Sequence, residues 1–148
     1  MVELHVGRTI AAAPERVFNW LADPSGLTAA PLVLQARWAK GSLGPGAGAL
    51  RRVIGVGMWF REEITAYDRP HSYSYLILRS FPPFNHEGGT LTFTPSGGGT
   101  HVDWLTCYTH PAYAGGRLLE AVSSRLLHRS FSAILAGCAK ALESPQPK

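Results

Sequence analysis

The residues of this sequence best placed to do chemistry are polar side chains set into otherwise apolar strand-like stretches. Arg52 and Glu62 lie on neighbouring segments of this kind. By strict alternation Arg52 falls with Leu50, Ile54 and Val56, and Glu62 with Phe60, Ile64 and Ala66, which gives both an inward parity and leaves Arg51 on the other face. An inward Arg–Glu pair can orient a ligand carboxylate or phenol, and a carboxyl whose pKa is raised by burial can act as a general base. The same pair can equally be a structural ion pair at the sheet's edge. Tyr73, Tyr75, Ile77 and Arg79 share one side of the next segment, Phe93 lies inward with Leu91 on the one after, and Trp104, Thr106 and Tyr108 share a face of the last. Such residues would line a groove with aromatic faces and a few hydroxyls, which suits a planar or hydrophobic ligand; each also fits plain core packing. His86 follows Pro82-Pro83 near a cavity mouth, and His110 precedes Pro111. Each is either an acid/base group near neutral pH or a loop histidine in solvent. The catalytic candidates are therefore Glu62, Arg52, Tyr75 and His86.

Familiar catalytic signatures are missing. No Gly-x-Ser-x-Gly elbow, His-Glu-x-x-His or phosphate-cradling glycine loop occurs, and Gly97-Gly98-Gly99 joins two strands as a turn. The six histidines are scattered without ligand spacing, so no metal is expected, and no cofactor. Cys107 and Cys138 are expected to be buried and reduced rather than a disulfide.

Length and composition frame these candidates. The 148 residues are 45% hydrophobic and 16% charged, which favours one compact domain over residues 1–143 and a frayed tail at 144–148. The net charge of +4 is spread thinly. Arg51-Arg52 is the closest approach to a basic run, so the charge reads as surface charge that aids solubility, and nucleic-acid binding is not expected. Met1-Val2-Glu3-Leu4-His5 does not resemble a signal peptide, and no apolar run reaches the roughly 18 residues of a membrane span. A cytoplasmic protein, monomer or homodimer, is expected.

The elements that would position the candidates follow a simple order. Glu3–Ile10 alternates as a strand. Pro14 suits the first turn of a helix that carries Val17, Phe18 and Leu21, and Asp23-Pro24 ends it. Ser25 can cap a second short helical turn before Pro31. Strands are predicted at Gln35–Gly41, Ala49–Gly57, Phe60–Tyr67, Ser72–Phe81, Glu87–Thr94 and Thr100–Thr109, with turns rich in glycine and proline between them. A helix is predicted from about Gly116 to Glu143, and Gly115-Gly116 permits hinge-like variation ahead of it.

That helix changes character along its length. Its second half has the apolar stripe Leu127, Phe131, Ile134, Leu135, Cys138 and Leu142, which extends backwards onto Ser124 and Glu120. Leu118, Leu119, Val122 and Leu126 fall on nearly the opposite face. Either the helix bends or breaks near Ser124–Arg129, or it is straight and Glu120 and Ser124 look into a polar part of a cavity while the leucines cover a neighbour. With Leu127 and Phe131, Ser124 completes the candidate ligand-binding set.

The run Ala13-Pro14-Glu15-Arg16-Val17-Phe18-Asn19-Trp20-Leu21-Ala22-Asp23-Pro24 resembles the entry motif of the START-like, helix-grip (SRPBCC) superfamily, which includes polyketide cyclase/dehydrase and plant pathogenesis-related type 10 groups. Gly48-Ala49-Leu50-Arg51-Arg52-Val53, Phe60-Arg61-Glu62-Glu63-Ile64, Tyr67-Asp68-Arg69-Pro70 and Gly99-Thr100-His101-Val102-Asp103-Trp104 are similar in the same order. The resemblance implies an α+β fold. A curved antiparallel sheet of six or seven strands grips the C-terminal helix, with two short helices after the first strand. It implies a pocket between sheet and helix for a lipid, sterol, polyketide or aromatic molecule. On this pattern Arg51 occupies the more family-like position and competes with Arg52. The leading expectation is a module that binds a small hydrophobic or aromatic ligand. The alternatives are a polyketide cyclase, aromatase or dehydratase acting by acid/base catalysis, and a protein-interaction module using the Leu118/Leu119/Val122/Leu126 face.

Overall fold

The computed structural model describes residues 2–42, 44–83 and 85–143; the expected tail at 144–148 lies outside them. Seven strands form one antiparallel sheet: β1 (Val2–Ile10), β2 (Val33–Trp38), β3 (Leu50–Gly55), β4 (Met58–Asp68), β5 (Ser72–Phe81), β6 (Asn85–Ser96) and β7 (Gly99–Thr109). Their spatial order is β1-β7-β6-β5-β4-β3-β2. Consecutive strands from β2 to β7 are therefore neighbours, and only β1 crosses over, to pair with β7. Helix α1 (Pro14–Ala22) and a 3-10 helix (Pro24–Ala29) follow β1, and helix α2 (Gly116–Glu143) closes the chain. This is the helix-grip fold.

Local chemistry sets the element ends. Pro14 stands at the first turn of α1, where its missing N–H costs nothing. Asp23, rather than Ser25, caps the 3-10 helix: its carboxylate accepts from the Ser25 N–H at 3.0 Å. The core runs along the concave face. Phe18 of α1 meets Tyr67, Tyr73 and Phe93 at ring-centroid distances of 5.2, 5.6 and 5.1 Å, and the Tyr73 hydroxyl donates to the Leu21 carbonyl at 3.0 Å. That aromatic cluster closes one end of the groove. Farther along, the second half of α2 buries Phe131, Ile134, Leu135, Cys138 and Ala139. Gly137 makes the approach to the 3-10 helix possible, because a Cβ there would stand 2.7 Å from that of Ala29.

β3 alternates with the parity opposite to the expected one, and bulges interrupt the alternation of β2, β4, β5 and β6. In β3 the buried residues are Arg51 and Val53, while Arg52 is exposed. The parity expected for Arg52 is thus corrected. The outer face of β3 carries Ile54, which pairs laterally with Trp59 and then Phe81, so apolar content does not mark the inner side there. In β4 a bulge between Ile64 and Ala66 inserts Thr65 against β5. It turns Ala66 outward and Tyr67 inward, opposite Tyr73, as one extra residue must when side chains alternate with period two. In β5 the extra residue is Leu78, which leaves Ile77 inward opposite Glu62 and turns Arg79, expected on the same side as Ile77, outward opposite Arg61. Both cysteines are free, but only Cys138 is buried; Cys107 is half-buried on the outer face.

The closing helix is unbroken from Gly116 to Glu143. At about 100° per residue, eleven residues return to within about 20°, so Ser123 lies under Ile134, and Leu119, Ser123, Leu127 and Ser130 form one stripe with it. Ser124 is turned aside, its hydroxyl donating to the Ala121 carbonyl at 3.1 Å. Among the described residues no helix is long and apolar enough to cross a membrane.

Candidate functional site

A cavity of about 300 Å³ lies between the sheet and α2. Its walls are mainly apolar. Val53, Phe60 and Ile77 come from the middle strands, Leu27 and Ala30 from the 3-10 segment, and Leu119, Val122, Leu126, Leu127, Phe131 and Ile134 from α2. Leu119, Val122 and Leu126 thus overhang the cavity, while the second half of α2 belongs to the core. Leu118, at 78% exposure, points elsewhere. This division of labour accounts for the two apolar faces of the helix.

Most of the expected ligand-binding residues meet in this wall: Glu62, Tyr75, Ile77, Trp104, Thr106, Tyr108, Leu127 and Phe131. Four do not. Arg52 is on the outer face, and its neighbour Arg51 takes the inner place. Tyr73 and Phe93 are held in the Phe18 cluster beyond the cavity's closed end. Ser124 gives way to Ser123, for the angular reason above. Arg51 and Ser123 are the residues that alternation and helical periodicity misplace by one position.

The most distinctive feature of the wall is a buried ion pair. Arg51 and Glu62 are each 2% exposed, with Arg51 Nη2 at 2.5 Å from Glu62 Oε1. They stand directly opposite each other on β3 and β4. The guanidinium carbon lies 5.6 Å from the centre of the Tyr73 ring and 5.9 Å from that of Tyr75, within cation–π range. The pair leaves hydrogen-bonding capacity unused. Arg51 Nε and Nη1 have no aligned hydrogen-bond partner, and Glu62 Oε1 is engaged by Nη2 as an ion contact. Burial pushes the Glu62 pKa up, and the opposing charge of Arg51 does not fully reverse this. Burial alone would depress Arg51, but the charge of Glu62 and the neighbouring tyrosines outweigh it, so its pKa rises and it stays a cation.

A second group surrounds Tyr75. The Trp104 indole N–H donates to the Tyr75 hydroxyl at 2.8 Å, and Trp104 stacks on Phe131 at 3.9 Å between centroids. Burial raises the Tyr75 pKa, which keeps the phenol neutral. His86, on β6 rather than in a loop, stacks on Tyr75 at 5.4 Å. Its Nδ1 accepts from the Ile77 N–H at 2.9 Å, so the ring proton sits on Nε2 and donates to the Thr106 hydroxyl at 2.6 Å. Burial lowers the His86 pKa to about 4. This neutral ring spans β5 and β6 where their direct pairing has ended at Tyr75–Gly89, which fits a positioning role better than proton transfer near neutral pH.

A third group lies nearer α2. The His110 Nδ1–H donates to the Pro83 carbonyl at 3.1 Å, its Nε2 accepts from the Ser123 hydroxyl at 2.9 Å, and the Tyr108 hydroxyl donates to Ser123 Oγ at 2.8 Å. It ties β7 to the overhanging part of the helix. Among the described residues no group of three or more His, Cys, Asp or Glu side chains could hold a metal ion.

The comparisons with known proteins agree with this fold. The family described as polyketide cyclase / dehydrase and lipid transport matches residues 1–143. A crystal structure of a Thermus thermophilus protein superposes with a TM-score of 0.75 at 24% identity, covering 96% of this chain and 97% of that one. The protein XoxI of Bacillus cereus gives a TM-score of 0.73 at 17% identity, covering 97% of each. A Mycobacterium smegmatis protein gives 0.66 at 24% identity, over 95% of this chain and 90% of that one. At these identities the likeness is one of fold. No curated protein matches the chain in sequence.

Proposed function

The chain belongs to the polyketide cyclase / dehydrase and lipid transport family, and from that premise we propose that its cavity binds a small, largely apolar aromatic molecule bearing one hydroxyl or carbonyl group. The observation that carries this reading is the Arg51–Glu62 pair, buried in an apolar wall with Arg51 Nε and Nη1 lacking an aligned hydrogen-bond partner. A buried polar group without a hydrogen bond costs about 1–3 kcal/mol, so a ligand that partners it gains correspondingly. Because Glu62 offsets the charge of Arg51, the pair does not favour an anion. It favours a neutral group that accepts from Arg51, such as a carbonyl or a hydroxyl, and a hydroxyl can donate to Glu62 as well. A cavity of about 300 Å³ sits at the small end of the roughly 300–1,000 Å³ typical of ligand sites.

Native mass spectrometry of the purified protein identifies any co-purifying molecule. Calorimetric titration then compares 2-naphthol with naphthalene. The hydroxyl is expected to tighten binding about tenfold or more, and Arg51→Met/Glu62→Met is expected to erase that preference. Equal affinity for the two probes, or a preference that survives the double substitution, contradicts the reading.

A second reading, acid/base catalysis of ring closure or dehydration, is favoured by the upward shift of Glu62 beside a permanent cation. In its ionised form Glu62 can take a proton from carbon, becoming the neutral acid, while Arg51 stabilises the enolate oxygen. Deuterium exchange at the α-carbon of 2-acetonaphthone tests it. Exchange accelerated by the protein and lost in Glu62→Gln supports catalysis; exchange at the buffer rate leaves binding alone.

A further inference from the structure

The outer face of the sheet carries a feature that no single stretch of the chain contains. Arg37 stands opposite Arg52, Arg52 opposite Arg61, and Arg61 opposite Arg79, so four adjacent strands place four arginines in one row. All four are exposed. At about 4.8 Å between strands, the row spans only about 14 Å. Like charges directly opposite one another destabilise a sheet, and the fold does not offset them. Among the described residues none of the four makes an ion pair. In the flanking rows the carboxylate present is Glu63, half-buried between Leu50 and Leu76.

The row on the other flank is apolar from β3 to β5, with Ile54 opposite Trp59 and Trp59 opposite Phe81, and ends on β2 in Gln35. Trp59 and Phe81 are 45% and 57% exposed and also form part of the cavity wall, as does Val56, at 59%, in the adjoining turn. A concentrated positive row thus runs beside an aromatic and aliphatic edge that is continuous with the cavity.

We propose that this face docks on an anionic lipid bilayer, with the four arginines on headgroup phosphates and Trp59 and Phe81 at the level of the headgroups. Charge complementarity selects an anionic partner. The amphipathic indole of Trp59 sits favourably at a bilayer interface, and Phe81 beside it adds apolar area. The exposed Val56 beside them suits acyl chains and has no counterpart in the stacking and phosphate contacts by which single-stranded nucleic acid is held. The orientation turns the cavity edge towards the membrane. The proposal does not depend on what the cavity holds.

Flotation of the full chain with vesicles tests it. Binding is expected to phosphatidylcholine vesicles containing phosphatidylglycerol and not to phosphatidylcholine alone, with strong weakening in 0.5 M salt. Each arginine near such a surface is worth roughly a fivefold change in partitioning, so Arg52→Gln/Arg61→Gln is expected to lose roughly thirtyfold. The double variant relieves like-charge repulsion and is expected to unfold at the wild-type temperature or above it, so its loss of binding reports on the surface. Trp59→Ser tests the aromatic edge separately and is expected to weaken binding to anionic vesicles. Equal binding to neutral vesicles, undiminished binding by the double variant, or tighter binding to an oligothymidylate than to anionic vesicles overturns the proposal.

Discussion

Replacing Arg51 by methionine should be among the most damaging single changes in this protein, and replacing Glu62 as well should undo most of the damage. Both side chains are 2% exposed and form one ion pair. Removing one partner of a buried pair leaves an uncompensated charge and costs about 3–5 kcal/mol, whereas replacing both by apolar groups is often neutral or stabilising. For a chain of this size that cost lowers the melting temperature by roughly 6–20 °C. Glu62 already has a raised pKa, and loss of Arg51 removes the charge that holds it down. A raised folded-state pKa gives a contribution that is present at low pH and lost as pH rises through it. The deficit of Arg51→Met should therefore be small at pH 5 and large at pH 8. Urea unfolding followed by far-ultraviolet circular dichroism at both pH values, on wild type, Arg51→Met, Glu62→Leu and the double variant, closes the cycle. A single-variant cost below about 1 kcal/mol at pH 8, or a double variant no more stable than Arg51→Met, would refute the account of the pair.

Three further outcomes are expected. Gly89→Ala places a Cβ against the Tyr75 ring on the neighbouring strand; we expect a loss of about 1–3 kcal/mol in urea unfolding together with weaker 2-naphthol binding, because Tyr75 must leave its place beside Trp104. The neutral state of His86, with its pKa near 4, contributes stability above the unfolded-state value of 6.5 that disappears as pH falls towards 4. Allowing for its partial exposure, about 1–2 kcal/mol should be lost across that window in wild type and not in His86→Gln, whose amide oxygen can still accept from Ile77; parallel losses in the two proteins would contradict this. Ser123→Ala strips Tyr108 and His110 of a shared partner and should cost about 1 kcal/mol, with hydrogen exchange rising in the first half of α2 and unchanged around Leu135.

The order of elements is legible in the sequence because it rests on local rules. Pro14 and Asp23-Pro24 frame α1 within one turn, the β5 and β7 limits follow from alternation and flanking turn residues, and the limits of α2 follow from its glycine start and long apolar periodicity. Local rules fail where neighbours decide. Nothing in Thr65 announces that an extra residue there will exchange Ala66 for Tyr67 on the inner face, because a bulge is a property of two strands. Arg51 and Arg52 are adjacent and identical, and the apolar partners Leu50, Ile54 and Val56 favour the wrong one. The outer face of β3 belongs to an apolar row and its inner face to a buried ion pair, which reverses the usual signal.

By itself, then, the sequence determined the elements and their order, since propensities, caps and hydrophobic periods act over a few residues, while the curved sheet gripping a terminal helix followed from the family resemblance of its motifs. Tertiary structure alone decided which arginine reaches the cavity, which serine of α2 faces it, and that four arginines from four strands stand in a row. Those outcomes depend on strand register and helix phase, which are set by packing between segments far apart in the chain. A shift of one residue turns every side chain that follows to the other face of a strand, and by about 100° around a helix.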